Sequence, residues 1–549
     1  MNDFLVFSAE DMRRRGWDEL DIVLITGDLY IDHPALGTSL VGRLLEKHGY
    51  RVGIISRPDA GNPDDFKIFG RPRLFFGVSS GSVDSMIANY TANKKPRREA
   101  VLPDRALIKY TNCVKQAYKG VTVVLGGIEA SMRRLAHYDY WSDKVRRSVL
   151  LDAKADVLIY GMAEKSIIEV AEAIKNKQPF DGIRGTVVLS AESVEGAIDL
   201  PSFEEVSSDK GSFTKAFLDI YCNQDPFTAE ILVQKHARRY VIHNPPQYPL
   251  TTEELDSVYD MEFHRMRHPS YGKREMKEEA MIANSVTSHR GCPGQCNFCS
   301  LFFHQGRIVQ SRSRGSVLKE CTALTKSLLF HGTITDVGGP SANLYMAECT
   351  KWKDKGACKD KQCLMPKRCG SLGLGYKKQM DLLSAIRKLP GVNHVFLSSG
   401  LRYDLLTEDD DQQYLEYICR NNISGQMKVA PEHMSDKTLK YMNKPLSKVY
   451  LKFVDRFKKV LRAAGKRLFL VNYFIMAHPG STLDDASILA DYLKKQGYTP
   501  EQVQDYLPLP MTVSSVMYYT GKDPFTGSRL HIIRSPKDRA RYRGMIQSR

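Results

Sequence analysis

Three cysteines, Cys292, Cys296 and Cys299, stand in the stretch Gly291-Cys292-Pro293-Gly294-Gln295-Cys296-Asn297-Phe298-Cys299. Four thiolates close a cubane iron–sulfur cluster, so three leave one iron without a protein ligand. An open iron can bind a small molecule and act on it, which a closed site cannot. Clustered thiols also make structural zinc sites. Zinc sites more often use C-x2-C pairs with a second pair at a distance. This triplet is compact and has no local partner, so its spacing favours iron.

A second set follows at Cys349, Cys358, Cys363 and Cys369, in a stretch too polar to be core. Four thiolates there suit an auxiliary iron–sulfur cluster or a structural zinc, and spacing does not separate the two. Unligated thiols are the remaining reading. Cys113, Cys222, Cys321 and Cys419 are scattered, and Cys321 falls on the apolar face of a helix, where a small core residue belongs.

The triplet follows a short apolar strand, and other reactive residue types end further strands. Gly338 and Gly339 end the second strand and open backbone groups to a ligand, although a plain βα turn would look the same. Ser399 and Arg402 end the third and offer a hydroxyl and a guanidinium. Glu432 and His433 end the fourth. His433, as a bare histidine, reads as a surface residue. His478-Pro479-Gly480 and Asp505-Tyr506 end the fifth and sixth.

The strand candidates are Ser285–Ser288, Ile334–Val337, His394–Ser399, Gln426–Ala430, Leu468–Met476 and Gln502–Leu507, each followed by helix or turn signals. Helix 448–464 shows one apolar stripe at Val449, Phe453, Phe457 and Leu461 and stops at Gly465. Six βα units predict a curved, incompletely closed parallel barrel with its active residues at strand C-terminal ends. The N-terminal third predicts a separate α/β domain. Apolar strands at 21–28, 52–56, 74–78, 121–125 and 157–161 alternate with helices, as in a doubly wound, Rossmann-like sheet. The expected organisation is therefore α/β throughout: a Rossmann-like domain over 1–200, a connecting segment over 201–280, a barrel over 281–520 with a Cys-rich insertion at 345–372, and a basic tail over 521–549.

The chain has 549 residues and a net charge of +16. No apolar run is long enough for a membrane span, and the first residues lack a signal-peptide pattern, so a cytoplasmic protein with no membrane partner is expected. In a reducing compartment eleven cysteines favour metal ligation over disulfides. The charge suits a polyanionic partner such as RNA, although no defined RNA-binding motif is present; a solvated basic surface is the plainer reading. Residues 521–549 carry eight Lys/Arg against two Asp.

The C-x3-C-x2-C spacing with Phe298 before its last cysteine resembles the signature of radical S-adenosylmethionine (SAM) enzymes. Together with Gly126-Gly127-Ile128-Glu129-Ala130-Ser131, His137-Tyr138-Asp139-Tyr140-Trp141, Gly338-Gly339-Pro340, the stretch 428–433 and Gln502-Val503-Gln504-Asp505, it makes the chain similar to YgiQ-type radical SAM proteins, over about residues 20–525. The resemblance implies a 4Fe-4S cluster on Cys292, Cys296 and Cys299 with SAM on the open iron. It further implies SAM contacts at Phe298, Gly338, Gly339, Ser399, Arg402 and Glu432, and an electron donor of flavodoxin or ferredoxin type. Pro340 stands where that family usually has an acid. The N-terminal sheet resembles cobalamin-binding domains, which often carry Asp-x-His-x-x-Gly. Asp32-His33-Pro34-Ala35-Leu36-Gly37 does not match that spacing, so a cobalt-ligating His33, and cobalamin itself, is a doubtful expectation.

Three function classes follow. The first is a radical SAM enzyme that abstracts hydrogen from an unassigned substrate, with RNA or another macromolecule admitted by the charge. The second is an iron–sulfur redox or sensing protein that binds nucleic acid without turnover. It does not need the ordered strand-end residues. The third is a zinc-stabilised scaffold, which the unpaired triplet disfavours.

Overall fold

The computed structural model describes residues 3–272, 276–327, 329–497, 500 and 502–547. The chain divides into two compact units, Met1–Pro249 with Ser257–Ala283, and Leu250–Asp256 with Asn284–Arg549.

In the first unit, β1 (Ile22–Thr26) lies between β2 (Val52–Ser56) and β3 (Phe75–Val78), pairing Ile22 with Val52 and with Phe75. β4 (Thr122–Leu125) and β5 (Val157–Ile159) continue the parallel series. Helices α1 (Gly37–Lys47), α2 (Ala106–Ala117), α3 (Gly127–Met132) and α4 (Glu164–Lys175) join them. Strands buried on both faces read as unbroken apolar runs, and every residue of β1 is buried. The order 2-1-3-4-5 places a topological switch point between β1 and β3, where ligands of such sheets bind.

The sheet does not stop there. β6 (Thr186–Ser190), β7 (Ile198–Leu200), β8 (Leu232–His236) and β9 (Arg239–His243) extend it to nine strands, in the order β5-β6-β9-β8-β7. Residues 201–249, expected as part of a connecting segment, therefore belong to the first unit, with β8 and β9 in its sheet. The hairpin β8–β9 has a two-residue turn whose Ala237 takes φ +53°. Such turns ordinarily carry Asn or Gly, so the usual turn signal is missing. Residues 273–275 of that segment lie outside the described residues.

In the second unit the strands pair in parallel in chain order. β10 (Ser285–Thr287) pairs with β14 (Asp336–Gly338), and β13 (Thr333–Ile334) with β17 (His394–Val395). Leu401 bridges to Val429 of β18 (Gln426–Glu432), which pairs with β19 (Phe469–Met476), and that with β20 (Val503–Asp505). All six expected strand positions are occupied, and among the described residues no pairing joins β20 back to β10, as in a partial barrel. Short strands β11 (His289–Arg290) and β12 (Gln310–Ser311) pair beside the triplet loop, and β15 (Glu348–Cys349) pairs with β16 (Leu372–Gly373).

Helices α5 (Leu301–Gln305), α6 (Arg314–Leu324), α7 (Thr350–Asp354), α8 (Tyr376–Arg387), α9 (Gln412–Asn421), α10 (Ser447–Ala464) and α11 (Leu483–Gln496) fill the connections. On α10 the fully buried stripe is Tyr450, Phe453, Val454, Phe457 and Val460. The expected Val449 and Leu461 lie at its edges, half-buried. Cys321 is fully buried in the core, as read from the sequence.

The basic tail contains a helix. α12 (Val513–Thr520) precedes it, and α13 (Pro536–Gln547) packs on α11 with Arg539, Tyr542 and Ile546 buried. Among the described residues no helix is long and apolar enough to cross a membrane.

Candidate functional site

The cysteine triplet sits on a loop between β11 and α5, tied down at several points. The Cys292 amide donates to the Gly306 carbonyl at 3.1 Å, and the Asn297 amide to the Met442 carbonyl at 3.0 Å. Asn297 Nδ2 donates to the Tyr441 carbonyl at 2.9 Å, and Asn443 Nδ2 to the Gln295 carbonyl at 2.8 Å. Gly291 is required where the loop begins. Its φ is +84° and a Cβ would lie 2.1 Å from the Ile308 carbonyl oxygen. Gln295 also holds a left-handed φ of +47°, a local strain of the kind that collects at functional sites.

The three thiols act on one another electrostatically. Burial, then the charge of Cys296, pushes the Cys299 thiol well above its ordinary range. Burial also raises the Cys292 thiol, against the pull of Arg402. Arg402 reaches this loop from the end of the third strand position. Its Nη1 donates to Cys296 Sγ at 3.9 Å, while Nη2 and Nε grip Asp404 at 2.7 and 3.1 Å. Its backbone is clamped by Asn343, which accepts from the Arg402 amide at 2.9 Å and donates to its carbonyl at 3.0 Å. Three thiols on one loop beside a buried guanidinium fit an anionic iron–sulfur cluster, whose properties depend on donors aimed at its sulfurs. Among the described residues no three Cys, His, Asp or Glu side chains close round a single-ion position. A cubane sets its thiolates on different irons and needs no such closure.

Glu432 stands beside this arrangement. It is 7 % exposed, takes φ +67° and ends β18 at a register shift from Val429. A non-glycine residue in the left-handed region is held there at a cost of order 1–3 kcal/mol. Burial raises its carboxyl pKa against the pull of Lys444 and Arg402, and its charge acts on Cys299. Lys444 is itself buried, with its ammonium 5.6 Å from the Tyr403 ring. The Tyr403 hydroxyl is buried with no partner.

The other expected contacts have taken partners within the chain. Ser399 Oγ donates to Asp336 Oδ2, and the Ser398 and Ser399 amides donate to Asp336 Oδ1 at 2.8 and 3.1 Å. Gly339 makes room for His289, since a Cβ there would meet the imidazole at 2.5–2.8 Å. That ring is fixed by Ser288 Oγ at 2.9 Å and the Ser341 carbonyl at 3.0 Å, and burial drops its pKa to about 4. Gly338 lies against Ser399 and Asp336. Phe298 meets His478 edge-on at 6.4 Å between ring centres. His433 is not at the surface. It is fully buried, accepts the Ser435 amide at Nδ1 (2.9 Å), and Nε2 lies 2.7 Å from the Tyr542 hydroxyl of α13.

In the first unit, the Gly126–Ser131 and His137–Trp141 motifs form a buried charge network. Glu129 accepts the Ser85 amide at 2.8 Å, and Arg133 pairs with Asp84 at 2.9 Å and Asp139 at 3.2 Å. At the switch point, Asp28 Oδ2 accepts from the Ser82 amide and hydroxyl at 2.8 and 2.6 Å. His33 is fully buried and its Nδ1 accepts the Ala35 amide at 3.0 Å. The lone pair of that nitrogen is engaged, and burial keeps the ring neutral.

Residues 4–285 match the family described as Radical SAM N-terminal, and residues 501–549 match a domain of unknown function, DUF3362. A UPF0313 protein of Methanocella arvoryzae is 46% identical over 554 residues, covering 98% of this chain and 92% of its own length. The chain belongs to the UPF0313 family. A UPF0313 protein of Clostridium botulinum is likewise 46% identical, over 563 residues, 99% of this chain and 87% of that one. The YgiQ-type radical SAM reading is thereby borne out, and this UPF0313 chain is a radical SAM enzyme by family and fold.

Solved structures with a similar fold include two radical SAM enzymes. The radical SAM methyltransferase TsrM of Kitasatospora setae, with cobalamin and a 4Fe-4S cluster bound, superposes with a TM-score of 0.53 at 14% identity, covering 90% of this chain and 74% of that one. The cobalamin-dependent SAM radical enzyme OxsB with aqua-cobalamin bound gives 0.50 at 12% identity, covering 91% and 55%. Both neighbours of this UPF0313 fold hold cobalamin, so the sequence-based reservation about that cofactor is not borne out.

Sequence reasoning missed Asp336, Asn343, Asp404 and Lys444. Asp404, two residues beyond Arg402, and Asp336, two before Gly338, had a near signal.

Proposed function

We propose that this protein holds a 4Fe-4S cluster on Cys292, Cys296 and Cys299, binds SAM at its open iron, and abstracts hydrogen from an unassigned substrate. The observation that carries this reading is Arg402 Nη1 against Cys296 Sγ at 3.9 Å, on a loop that gathers three thiols. When bound, such a cluster supplies the electron that splits SAM to a 5'-deoxyadenosyl radical. The chain's own residues do the rest. Arg402, braced by Asp404 and Asn343, places positive charge beside the thiolates. Glu432 and Lys444 offer a buried carboxylate and ammonium to the polar parts of SAM. Phe298, Gly338, Gly339 and Ser399 shape the strand ends around it, Ser399 through Asp336. Burial of these groups shields the site from water.

Anaerobic reconstitution followed by electron paramagnetic resonance of the reduced protein tests this. Added SAM should change the signal of the wild type, and the Cys296→Ala variant should show no such signal. A SAM-insensitive signal would favour the alternative of a redox sensor without turnover.

Cobalamin belongs to the same proposal. The 2-1-3-4-5 strand order and the cobalamin in the structural neighbours support a site at the β1/β3 edge of the first unit. The state of His33 argues that cobalt takes no ligand from it. Bound cobalamin, read by absorbance after gel filtration, should persist in His33→Asn; loss confined to that variant contradicts the assignment. An electron donor of flavodoxin or ferredoxin type is proposed for the first step. RNA is the substrate class that the charge of +16 supports best.

A further inference from the structure

Residues 350–371 form a loop closed by the β15–β16 ladder, where Cys349 pairs with Leu372. Its fully buried apolar side chains are few: Trp352, Ala357, Cys363 and Leu364. A segment with so small a core ordinarily needs a staple. No disulfide supplies one, since all four of its cysteines are free.

Three of the thiols interact, and the fourth cysteine is tied to them through its backbone. The Cys369 amide donates to the Cys363 carbonyl at 2.8 Å, and Cys349 and Cys358 lie close enough to act electrostatically on Cys363. Arg307 organises the loop from outside, donating through Nη1 to the Cys358 carbonyl at 3.0 Å and through Nη2 to the Lys361 carbonyl at 3.2 Å. The same guanidinium lies against the Cys363 thiol, yet its Nε is buried with no acceptor. Lys361 and Lys351 face Cys369. Three cations thus bear on Cys363 and Cys369, and the buried Nε–H of Arg307 has no acceptor.

We propose that Cys349, Cys358, Cys363 and Cys369 bind a second 4Fe-4S cluster. Four thiolates around a cubane leave a net charge of about −2, which Arg307, Lys351 and Lys361 offset, and a cluster thiolate or sulfide gives Arg307 Nε its acceptor. A structural zinc would need no cation to offset sulfide charge, whereas a cubane brings inorganic sulfides that such cations can face. A cluster held by four thiolates has no open iron, so this centre is distinct from the one proposed to bind SAM.

The test is iron, sulfide and zinc analysis of the full chain after anaerobic reconstitution, without reference to SAM cleavage. The wild type should hold about eight irons, and a Cys292→Ser/Cys296→Ser variant, whose second loop is untouched, about four. Cys358→Ser/Cys363→Ser should also hold about four, now lost from the other site. An iron content of about four in the wild type that falls to none in the Cys292/Cys296 variant overturns the proposal. So does one tightly bound zinc lost with Cys358 and Cys363. Failure of the SAM-site reading would look different, as iron retained in full when Cys292 and Cys296 are replaced.

Discussion

Glu432 and Gly339 stand at strand ends where the local geometry is tightly constrained. Glu432 takes a left-handed φ at the register shift of β18 and buries its carboxyl. Glu432→Gln keeps the shape and removes the charge. SAM cleavage should fall at least about tenfold, roughly 1.4 kcal/mol of binding or barrier, with little change in melting temperature. Unchanged cleavage would remove Glu432 from the site. Gly339 faces a pinned imidazole that cannot give way. Gly339→Ala should cost about 1–3 kcal/mol in a denaturant titration. Gly544→Ala, on α13 with nothing within 4 Å, should instead stabilise by about 0.5–1 kcal/mol. The triplet was legible in the sequence because its spacing is local. Its supports were not. Asp336 meets Ser399 across 63 residues, and Asn343 clamps Arg402 across 59. One chain read alone gives no sign of which polar residues such distances bring together.

At the scale of elements, the C-terminal helix α13 is tied to the strand that carries Glu432. His433 Nδ1 accepts the Ser435 amide, so Nε2 carries the proton and donates to Tyr542. Tyr542→Phe leaves that N–H unpaired in the core and should cost about 1–3 kcal/mol in thermal or denaturant unfolding. Burial holds the His433 pKa down at about 4. A histidine depressed in the folded state contributes stability that is present above its unfolded pKa of about 6.5 and lost as pH falls toward 4. This one group accounts for roughly 3 kcal/mol over that window. Protection of α13 amides in hydrogen exchange should therefore drop between pH 6.5 and 4 in the wild type and change less in His433→Gln. The sequence showed only a basic tail here because Arg539, Arg541 and Arg543 hide the apolar face made by Tyr542 and Ile546. It hid β8 and β9 for a related reason. Gln234, Lys235 and Arg239 break the apolar alternation, and the turn at Ala237 lacks glycine.

For the whole molecule, both parallel strand series were legible, since strands buried on two faces make apolar runs ended by glycine or polar turns. Antiparallel additions to the first sheet were not. The net charge of +16 leads to a further expectation. If RNA is the substrate class, its affinity should fall steeply with salt, along a straight line of log K against log salt. Binding that ignores salt would count against it.

If Cys292, Cys296 and Cys299 hold a SAM-cleaving cluster, loss of one of these thiolates abolishes SAM cleavage. The most direct measurement is 5'-deoxyadenosine formed per chain by the reconstituted protein with SAM and dithionite, beside Cys296→Ala. The expected result is product from the wild type and none from the variant. A wild type that carries iron yet forms no product, or a variant that forms as much, would mean that these thiolates hold no SAM-cleaving cluster.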